Sequence, residues 1–427
     1  MGRNSRKQLE RSRKKQLRKQ ANIKKGFIFE EGDMNKMSLP MPTLWLFLNE
    51  KKVEKLLRTF ADSLPKSKSN HSHNNIKFVK MAMFLALGGI SSPNHFSDIV
   101  VDQMRDFYGV KISKSAFYNW FDRMEEHLSQ FEKAVEKSAE LYIASLKSDQ
   151  KGLVVDIDAT YRKSDADWAT MDYKGDISFR IMMMHVGKEE RGAKAIFRAK
   201  VDPGNISPRT DIYPMTQHVI SQHDIALFRS DSAAYNHKLL DLLTTHDIPF
   251  LVGAPHDESV LGTLGCIKEK AYIRYHNNND ILTGEDVATI GHAMNKTKHG
   301  FSLVNKRKPR QRKIDKELEQ TGQEALFGTG KEYNHYTIAV APSLAKEYDA
   351  ENLRQRYELR GGQEYIIGTF KQLYRPKARE THAKTALWTQ ILAIAYNLGL
   401  YFLEHYSDKK KPQVRKLPTI FASSPRS

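Results

Sequence analysis

The sequence has very little cysteine, with Cys266 the only one among 427 residues. A single thiol excludes an intrachain disulfide and a zinc site built from several thiolates, and it favours a reducing cytoplasmic setting. The sequence also lacks a G-x-x-x-x-G-K-[ST] phosphate-binding loop, and none of its histidines forms an H-E-x-x-H pair. The sequence therefore shows neither a P-loop nucleotide site nor an H-E-x-x-H zinc site.

Apolar segments of the kind that target or anchor a chain are also scarce. The first 25 residues carry eleven basic side chains and no apolar run, so a secretory signal is not expected. Only residues 385–403 form an uncharged run of nearly membrane-spanning length. Because this run contains Gln390 and Asn397, we expect a helix that is buried in the protein or packed against a partner rather than one that spans a membrane.

Acidic residues are outnumbered: 68 Lys and Arg against 50 Asp and Glu give a net charge of +18. This excess predicts a polyanionic partner, with nucleic acid as the first candidate. Residues 1–25 contribute much of the charge and have almost no apolar face, which indicates an arm that is disordered when free and lies along phosphates. The alternative is a solvated basic tail.

Residues 37–150 have the three- and four-residue apolar spacing of helices. Within FYGVKISKSAFYNWF, a glycine turn precedes a helix that would expose Lys114, Ser115 and Asn119. This pattern is typical of a helix-turn-helix, in which the second helix reads the DNA major groove. An ordinary helix pair that buries Phe117 and Trp120 explains the pattern equally well.

Beyond Lys151 the pattern changes to short apolar runs, which are typical of strands. Three predicted strands are followed by a helix, a strand, a second helix and a fifth strand, an order that predicts a mixed sheet with helices on its faces. Residues 255 to about 335, rich in asparagine and basic residues, interrupt this order and are interpreted as an insertion.

Carboxylates interrupt the predicted strands at two places. Asp156 and Asp158 lie at i and i+2 in GLVVDID, so both should project from one face of the sheet. Asp231 ends the fourth predicted strand, where the chain opens toward a crevice. Because converging carboxylates repel one another, a divalent cation among them is the simplest expectation.

A polar stripe follows in YELRGGQEYIIGTFK. If this segment is helical, then Tyr357, Arg360, Glu364 and Lys371 lie within an arc of about 60°. The glycine pair after Arg360 conflicts with a continuous helix and indicates a close backbone approach or a helix that begins nearby. By itself, such a stripe is more typical of a solvated face.

Taken together, the order Asp158-x-Thr160, then Asp231 in FRSD, then Tyr-x2-Arg-x3-Glu-x6-Lys resembles the DDE transposases of bacterial insertion sequences. The resemblance is greatest to the IS-four and IS-thirteen-eighty branches, which carry a Y-R-E-K signature. It covers about residues 76–405. Thr160 favours Asp158 over Asp156 as the first carboxylate, although the motif leaves both open.

The resemblance implies an RNase H-like α/β domain: a five-stranded mixed sheet flanked by helices, with an insertion before the glutamate helix and an N-terminal all-α DNA-binding region. The implied segments are a basic disordered arm (1–36), a helical DNA-binding region (37–150), the first part of the catalytic domain (151–254), an insertion (255–345), the glutamate and closing helices (346–406) and a basic tail (407–427).

The resemblance also implies a site and a reaction. Asp158, Asp231 and Glu364 would bind two Mg²⁺ ions, with Mn²⁺ as a substitute. Tyr357, Arg360 and Lys371 would hold the DNA backbone. The expected partners are transposon-end DNA, target DNA and a second copy of the chain in a synaptic complex, without a membrane, in the cytoplasm at the nucleoid. The alternatives are a non-catalytic DNA-binding regulator and an RNase H-like nuclease without strand transfer.

Overall fold

The structure is a computed structural model that describes residues 42–66, 74–88, 112–294, 297–309, 333–361, 366–368, 370 and 381–406. The predicted arm (1–36) and tail (407–427) lie outside the described residues. So do Glu364, Lys371 and the glycine turn predicted before the helix that carries Lys114.

The described elements alternate between helices and strands after a helical start. The helices are α1 (Pro42–Leu48), α2 (Lys51–Ser63), α3 (Asn75–Leu87), α4 (Lys114–Arg123), α5 (Leu128–Ile143), α6 (Arg209–Ile220), α7 (His237–Thr245), α8 (Glu258–Gly265), α9 (Pro342–Glu347), α10 (Ala350–Glu358) and α11 (His382–Tyr406). The strands are β1 (Leu153–Lys163), β2 (Thr170–Met171), β3 (Ile177–Gly187), β4 (Ala195–Pro203), β5 (Ile225–Ser230), β6 (Phe250–Gly253), β7 (Ile273–His276), β8 (Leu282–His292), β9 (Phe301–Pro309) and β10 (Tyr333–Val340).

The strands form one mixed sheet in the order β2-β3-β1-β5-β6-β10-β9-β8-β7, with β4 paired to β3. β1 runs antiparallel to β3, which runs antiparallel to β4. β5 and β6 follow β1 as parallel neighbours. The predicted mixed sheet with helices on its faces is therefore confirmed. β1 and β3 are buried along most of their length, as expected for strands covered on both faces.

The sheet is larger than the five strands predicted. β10 pairs antiparallel with β6, and β9, β8 and β7 continue the sheet from β10. These three strands come from the segment interpreted as an insertion. Their sequences did not indicate strands because charged and polar residues occupy their exposed faces; the apolar alternation in β8 is short and irregular. Pairing with a distant strand, rather than local pattern, decides their structure.

The helical N-terminal part and the sheet share one apolar core that runs through α2, α3 and α5 to β4 and α11. Trp120 of α4 is fully buried, stacks on Phe78 with ring centroids 5.3 Å apart, and donates from its indole nitrogen to the Asn75 side chain. The apolar face of α4 is therefore a packing face, and its other face carries Lys114, Ser115 and Asn119 in exposed positions.

Helix α11 is long and apolar enough to span a membrane, but its apolar window is wholly buried inside the protein, as predicted. Two of its polar side chains, Asn397 and Gln390, form hydrogen bonds with the unpaired edge of β4. Asn397 accepts from the Ile196 backbone N–H at 2.8 Å and donates to the Ile196 carbonyl at 2.8 Å. Gln390 donates to the Ala199 carbonyl at 2.6 Å. These side chains satisfy backbone groups that a sheet edge otherwise leaves unpaired.

Asn397→Leu should lower the free energy of unfolding by about 1–3 kcal/mol, because it leaves the buried Ile196 N–H and carbonyl without partners. Urea unfolding monitored by circular dichroism measures the change. Thr389→Val is the matched control, since the buried Thr389 hydroxyl donates within its own helix to the Thr385 carbonyl. Equal decreases in the free energy of unfolding of the two variants would contradict the role of Asn397 in pairing the edge of β4.

Candidate active site

The strand register brings two of the predicted carboxylates together. β1 and β5 are parallel, and Ile157 lies opposite Ser230, so the next residues along the two strands are Asp158 and Asp231. Parallel strands in register present paired side chains to the same side of the sheet. β5 ends at Ser230, and the two aspartates therefore lie side by side where the sheet opens.

Asp158 is largely buried, and its negative charge is only partly balanced by neighbouring groups. Its Oδ2 accepts from Nη1 of Arg360 at 3.1 Å, and its Oδ1 accepts from the Ala159 backbone N–H at 2.8 Å. Burial and, to a smaller degree, the negative charge of Asp231 raise the pKa of Asp158 to about 6, although Arg360 opposes the shift. One guanidinium thus does not balance the charge of the two carboxylates.

Asp231 is positioned by the turn that follows β5. Its Oδ1 accepts from the Ala233 backbone N–H at 3.0 Å and caps the short 3-10 turn Ser232–Ala234. Gly253, at the end of β6, makes room for this turn, since a Cβ there would lie 2.8 Å from the Ser232 nitrogen and 3.1 Å from the Tyr357 hydroxyl. A glycine is needed because β6, the Asp231 turn and Tyr357 converge on this point.

Both aspartates line an open pocket of about 960 Å³. Its other walls come from the end of β1, the β2–β3 hairpin and the loop before α6: Ala159, Thr160, Tyr161, Met171, Asp172, Tyr173, Lys174, Gly204, Asn205, Ile206, Ser207 and Pro208. The pocket is large enough for a nucleotide and its neighbours, and its acidic end carries the two carboxylates.

Tyr357 and Arg360 approach the aspartates from α10. Tyr357 lies in the last turn of this helix, and Arg360 lies in the turn after it, with its backbone N–H donating to the Tyr357 carbonyl at 2.9 Å. The continuous helix assumed for the polar stripe is not observed, because α10 ends at Glu358, ahead of the glycine pair. Arg360 reaches Asp158 from this turn, with its guanidinium 5.6 Å from the Tyr357 ring centroid.

Asp156 does not belong to the pocket. It is fully buried and binds the guanidinium of Arg229 through both oxygens, at 2.7 and 3.0 Å, and the ammonium of Lys194 at 3.2 Å. Although burial favours the neutral form, these two cations hold the pKa of Asp156 below its usual value. Its neighbour in β3, His185, is also fully buried, and burial lowers the pKa of His185 to about 4.

Arg229 also links this ion cluster to α10. Its Nη1 donates to the Arg356 carbonyl at 2.9 Å, and the Arg356 side chain pairs with Glu190 at 2.6 Å. The cluster therefore fixes the helix that carries Tyr357 relative to β1 and β5. Sequence reasoning missed this role, although a charged residue inside the apolar run IALFRS was a signal that Arg229 needs a buried partner.

The donor chemistry of the pocket fits a hard divalent cation. Asp158 and Asp231 offer carboxylate oxygens, which Mg²⁺ and Mn²⁺ prefer, and they lie side by side with the Arg360 guanidinium bound to Asp158. Among the described residues no three metal-binding side chains form a cluster. Glu364, the predicted third carboxylate, lies outside these residues, as does Lys371.

The family model for the transposase DDE domain matches residues 149–398. This match covers more than half of the chain, and the chain therefore belongs to the DDE transposase family, whose members act on DNA and generally use divalent metal ions. The match includes the positions of Asp158, Asp231 and Glu364. No curated protein matches the sequence.

Proposed function

We propose that this protein is an insertion-sequence transposase, of the IS-four or IS-thirteen-eighty type, that cleaves DNA at the ends of its element and joins those ends to target DNA. The single observation that carries the proposal is the side-by-side position of Asp158 and Asp231 in a pocket of nucleotide size. Asp158 on the first strand and Asp231 after the fourth long strand also support an RNase H-like core for β1 and β3–β6.

The catalytic carboxylates are Asp158, Asp231 and Glu364, which would together hold two Mg²⁺ ions. Bound there, the ions would supply Lewis-acid activation of the attacking and leaving oxygens of a phosphodiester. The side chains orient the ions and the scissile phosphate, and they need form no covalent intermediate. Asp158 rather than Asp156 has this role, since Asp156 is already neutralised by Arg229 and Lys194.

Arg360, Tyr357 and Lys371 hold the DNA backbone. The contact between the Arg360 guanidinium and Asp158 supports this role, because a cation so close to the carboxylates also lies close to a phosphate that they engage. Phosphoryl transfer depends mostly on positioning and charge neutralisation, which a guanidinium supplies by two parallel hydrogen bonds. The Tyr357 ring supports the guanidinium from one side.

The N-terminal helices supply DNA recognition in this proposal. Lys114, Ser115 and Asn119 lie exposed on α4, opposite the face that is buried on the core, and are the residues proposed to read the element's ends. Pairing of two ends requires a second copy of the chain in the synaptic complex. The protein would act in the cytoplasm, at the nucleoid.

The test of the proposal separates it from its two alternatives. Purified protein is incubated with labelled DNA that carries the ends of its own element, with an unlabelled target plasmid and Mg²⁺, and the products are resolved by electrophoresis. We expect nicked ends first and then labelled ends joined to the plasmid. Cleavage without joined products would instead indicate a nuclease, and metal-independent binding without cleavage would indicate a regulator.

A further inference from the structure

An unusual group of exposed apolar side chains lies on the β2–β3 hairpin, at the rim of the pocket. Met171 is 60% exposed, Tyr173 is 74% exposed and Ile177 is 47% exposed. Single exposed apolar residues are common on soluble proteins, but a group beside a polar pocket indicates a binding surface. Each of these three side chains therefore keeps about half or more of its surface open to solvent.

Hydrogen bonds to the Asp172 side chain hold the turn that carries Tyr173. The buried carboxylate of Asp172 accepts from the backbone N–H groups of Lys174, at 2.8 Å, and Asp176, at 3.1 Å, and from the Ser178 hydroxyl at 2.9 Å. Gly175 supplies the left-handed conformation that closes the turn, with φ of +82°. Tyr173 therefore stands at the tip of an ordered turn rather than on a loose loop.

The base of the hairpin is fixed to the loop after β4. The Gly204 N–H donates to the Ser178 carbonyl at 3.0 Å, and a Cβ at Gly204 would lie 2.7 Å from the Thr170 carbonyl. The Thr170 hydroxyl accepts from the Asn205 N–H at 2.9 Å. These contacts hold the hairpin, and with it Tyr173, at a set position relative to the carboxylates.

A second aromatic ring and a cation complete the surface. Tyr161 of β1 meets Tyr173 edge to face, with ring centroids 5.3 Å apart, and the Lys174 ammonium lies 5.3 Å from the Tyr173 ring centroid. These three residues line the same pocket as Asp158 and Asp231. An exposed aromatic face beside a cation is the combination that binds a nucleobase and its phosphate.

We propose that Tyr173, supported by Tyr161, is a stacking platform for one base of the DNA strand whose phosphate lies at Asp158 and Asp231, with Lys174 contacting a neighbouring phosphate. The inference rests on the proposed function and adds a positioning surface to it. A base within a duplex is covered on both faces by its neighbours, so the platform engages an unstacked base at a strand end or in a single strand.

The test measures binding without cleavage. Full-length protein in EDTA is titrated into a fluorescein-labelled single-stranded oligothymidine, and affinity is read from fluorescence anisotropy. Tyr173→Ala should weaken binding about tenfold, whereas Tyr173→Phe and Tyr173→Trp, which keep the ring, should remain within about twofold of the unmodified protein. Tyr336→Ala is the matched control, because Tyr336 is an exposed tyrosine beside Lys306 that does not line the pocket.

Photo-crosslinking and sedimentation complete the design. An oligonucleotide that carries 5-iodouracil should crosslink to Tyr173 or Tyr161, identified by mass spectrometry of the peptides. Unchanged affinity of Tyr173→Ala would overturn the platform. A variant that binds DNA normally but sediments as a smaller species would also overturn it and assign the surface to a second copy of the chain.

These readouts need neither metal nor cleavage, so they fail independently of the proposed function. If the unmodified protein cleaves DNA and Tyr173→Ala binds DNA with unchanged affinity, the result contradicts the stacking proposal and leaves the proposed function standing. If Tyr173→Ala weakens DNA binding but the unmodified protein does not cleave DNA, the result contradicts the proposed transposase activity and leaves the stacking proposal standing.

Discussion

Asp158→Asn is expected to slow DNA cleavage by at least about a thousandfold, which corresponds to about 4 kcal/mol of transition-state stabilisation. The reason is the loss of a carboxylate charge next to Asp231, where a divalent cation and the scissile phosphate would be held. Asp231→Asn should have the same effect. The measurement is the single-turnover rate of nicking of end-containing DNA with saturating Mg²⁺.

Two controls make this result specific. Asp167→Asn changes the formal charge equally at an exposed position outside the pocket and should cleave at the normal rate. Asp158→Asn itself should still bind end-containing DNA, because recognition is assigned to α4 and to the basic segments. Normal cleavage by both Asp158→Asn and Asp231→Asn would end the proposal that these aspartates form the active site.

Asp156→Asn should have the largest effect on stability, lowering the free energy of unfolding by about 3–5 kcal/mol at neutral pH. The variant leaves Arg229 and Lys194 buried without their counter-ion. Since the pKa of Asp156 in the folded protein lies below its unfolded value, its contribution is present above the unfolded pKa and is lost as the pH falls through the folded pKa.

Thermal or urea unfolding without divalent ions measures this effect, and Asp158→Asn is the matched control two residues along the same strand. Burial raises the pKa of Asp158, so its charge opposes folding at neutral pH, and neutralising it should leave the stability unchanged or increased. A large loss of stability in Asp158→Asn together with none in Asp156→Asn would reverse the roles given to the two residues.

A double variant tests the cluster as a unit. If Asp156 and Arg229 stabilise the fold through each other, then the combined cost of Asp156→Asn and Arg229→Gln should be clearly smaller than the sum of the single costs. Additive costs would show that each residue acts through separate contacts.

Much of the fold and part of the candidate site could be predicted from the sequence. The strands around Asp158 and Asp231 have local apolar patterns that are independent of the rest of the chain, and their order along the chain predicts a mixed sheet. The buried character of α11 followed from Gln390 and Asn397, since polar side chains in an apolar helix need partners inside the protein.

Other features depend on contacts between distant segments. β7, β8 and β9 join the sheet through β10, and no local pattern indicates that pairing. The end of α10 before Arg360 was visible only as a conflict at the glycine pair. The exposed surface around Tyr173 was not predicted, because exposure depends on which elements the rest of the chain places over a hairpin.

The local pattern of the sequence is enough to place carboxylates within one predicted strand and at the end of another, because strand periodicity and apolar runs are local properties. The pattern does not distinguish Asp156 from Asp158, which alternation places on the same side of β1; contacts with distant segments separate their roles. Arg229 of β5 and Lys194, which precedes β4, neutralise Asp156 inside the core. Asp158 lies two residues further along β1, where β5 ends and the pocket opens. The register between β1 and β5 sets the different surroundings of Asp156 and Asp158, and this register forms only when the two distant strands pair.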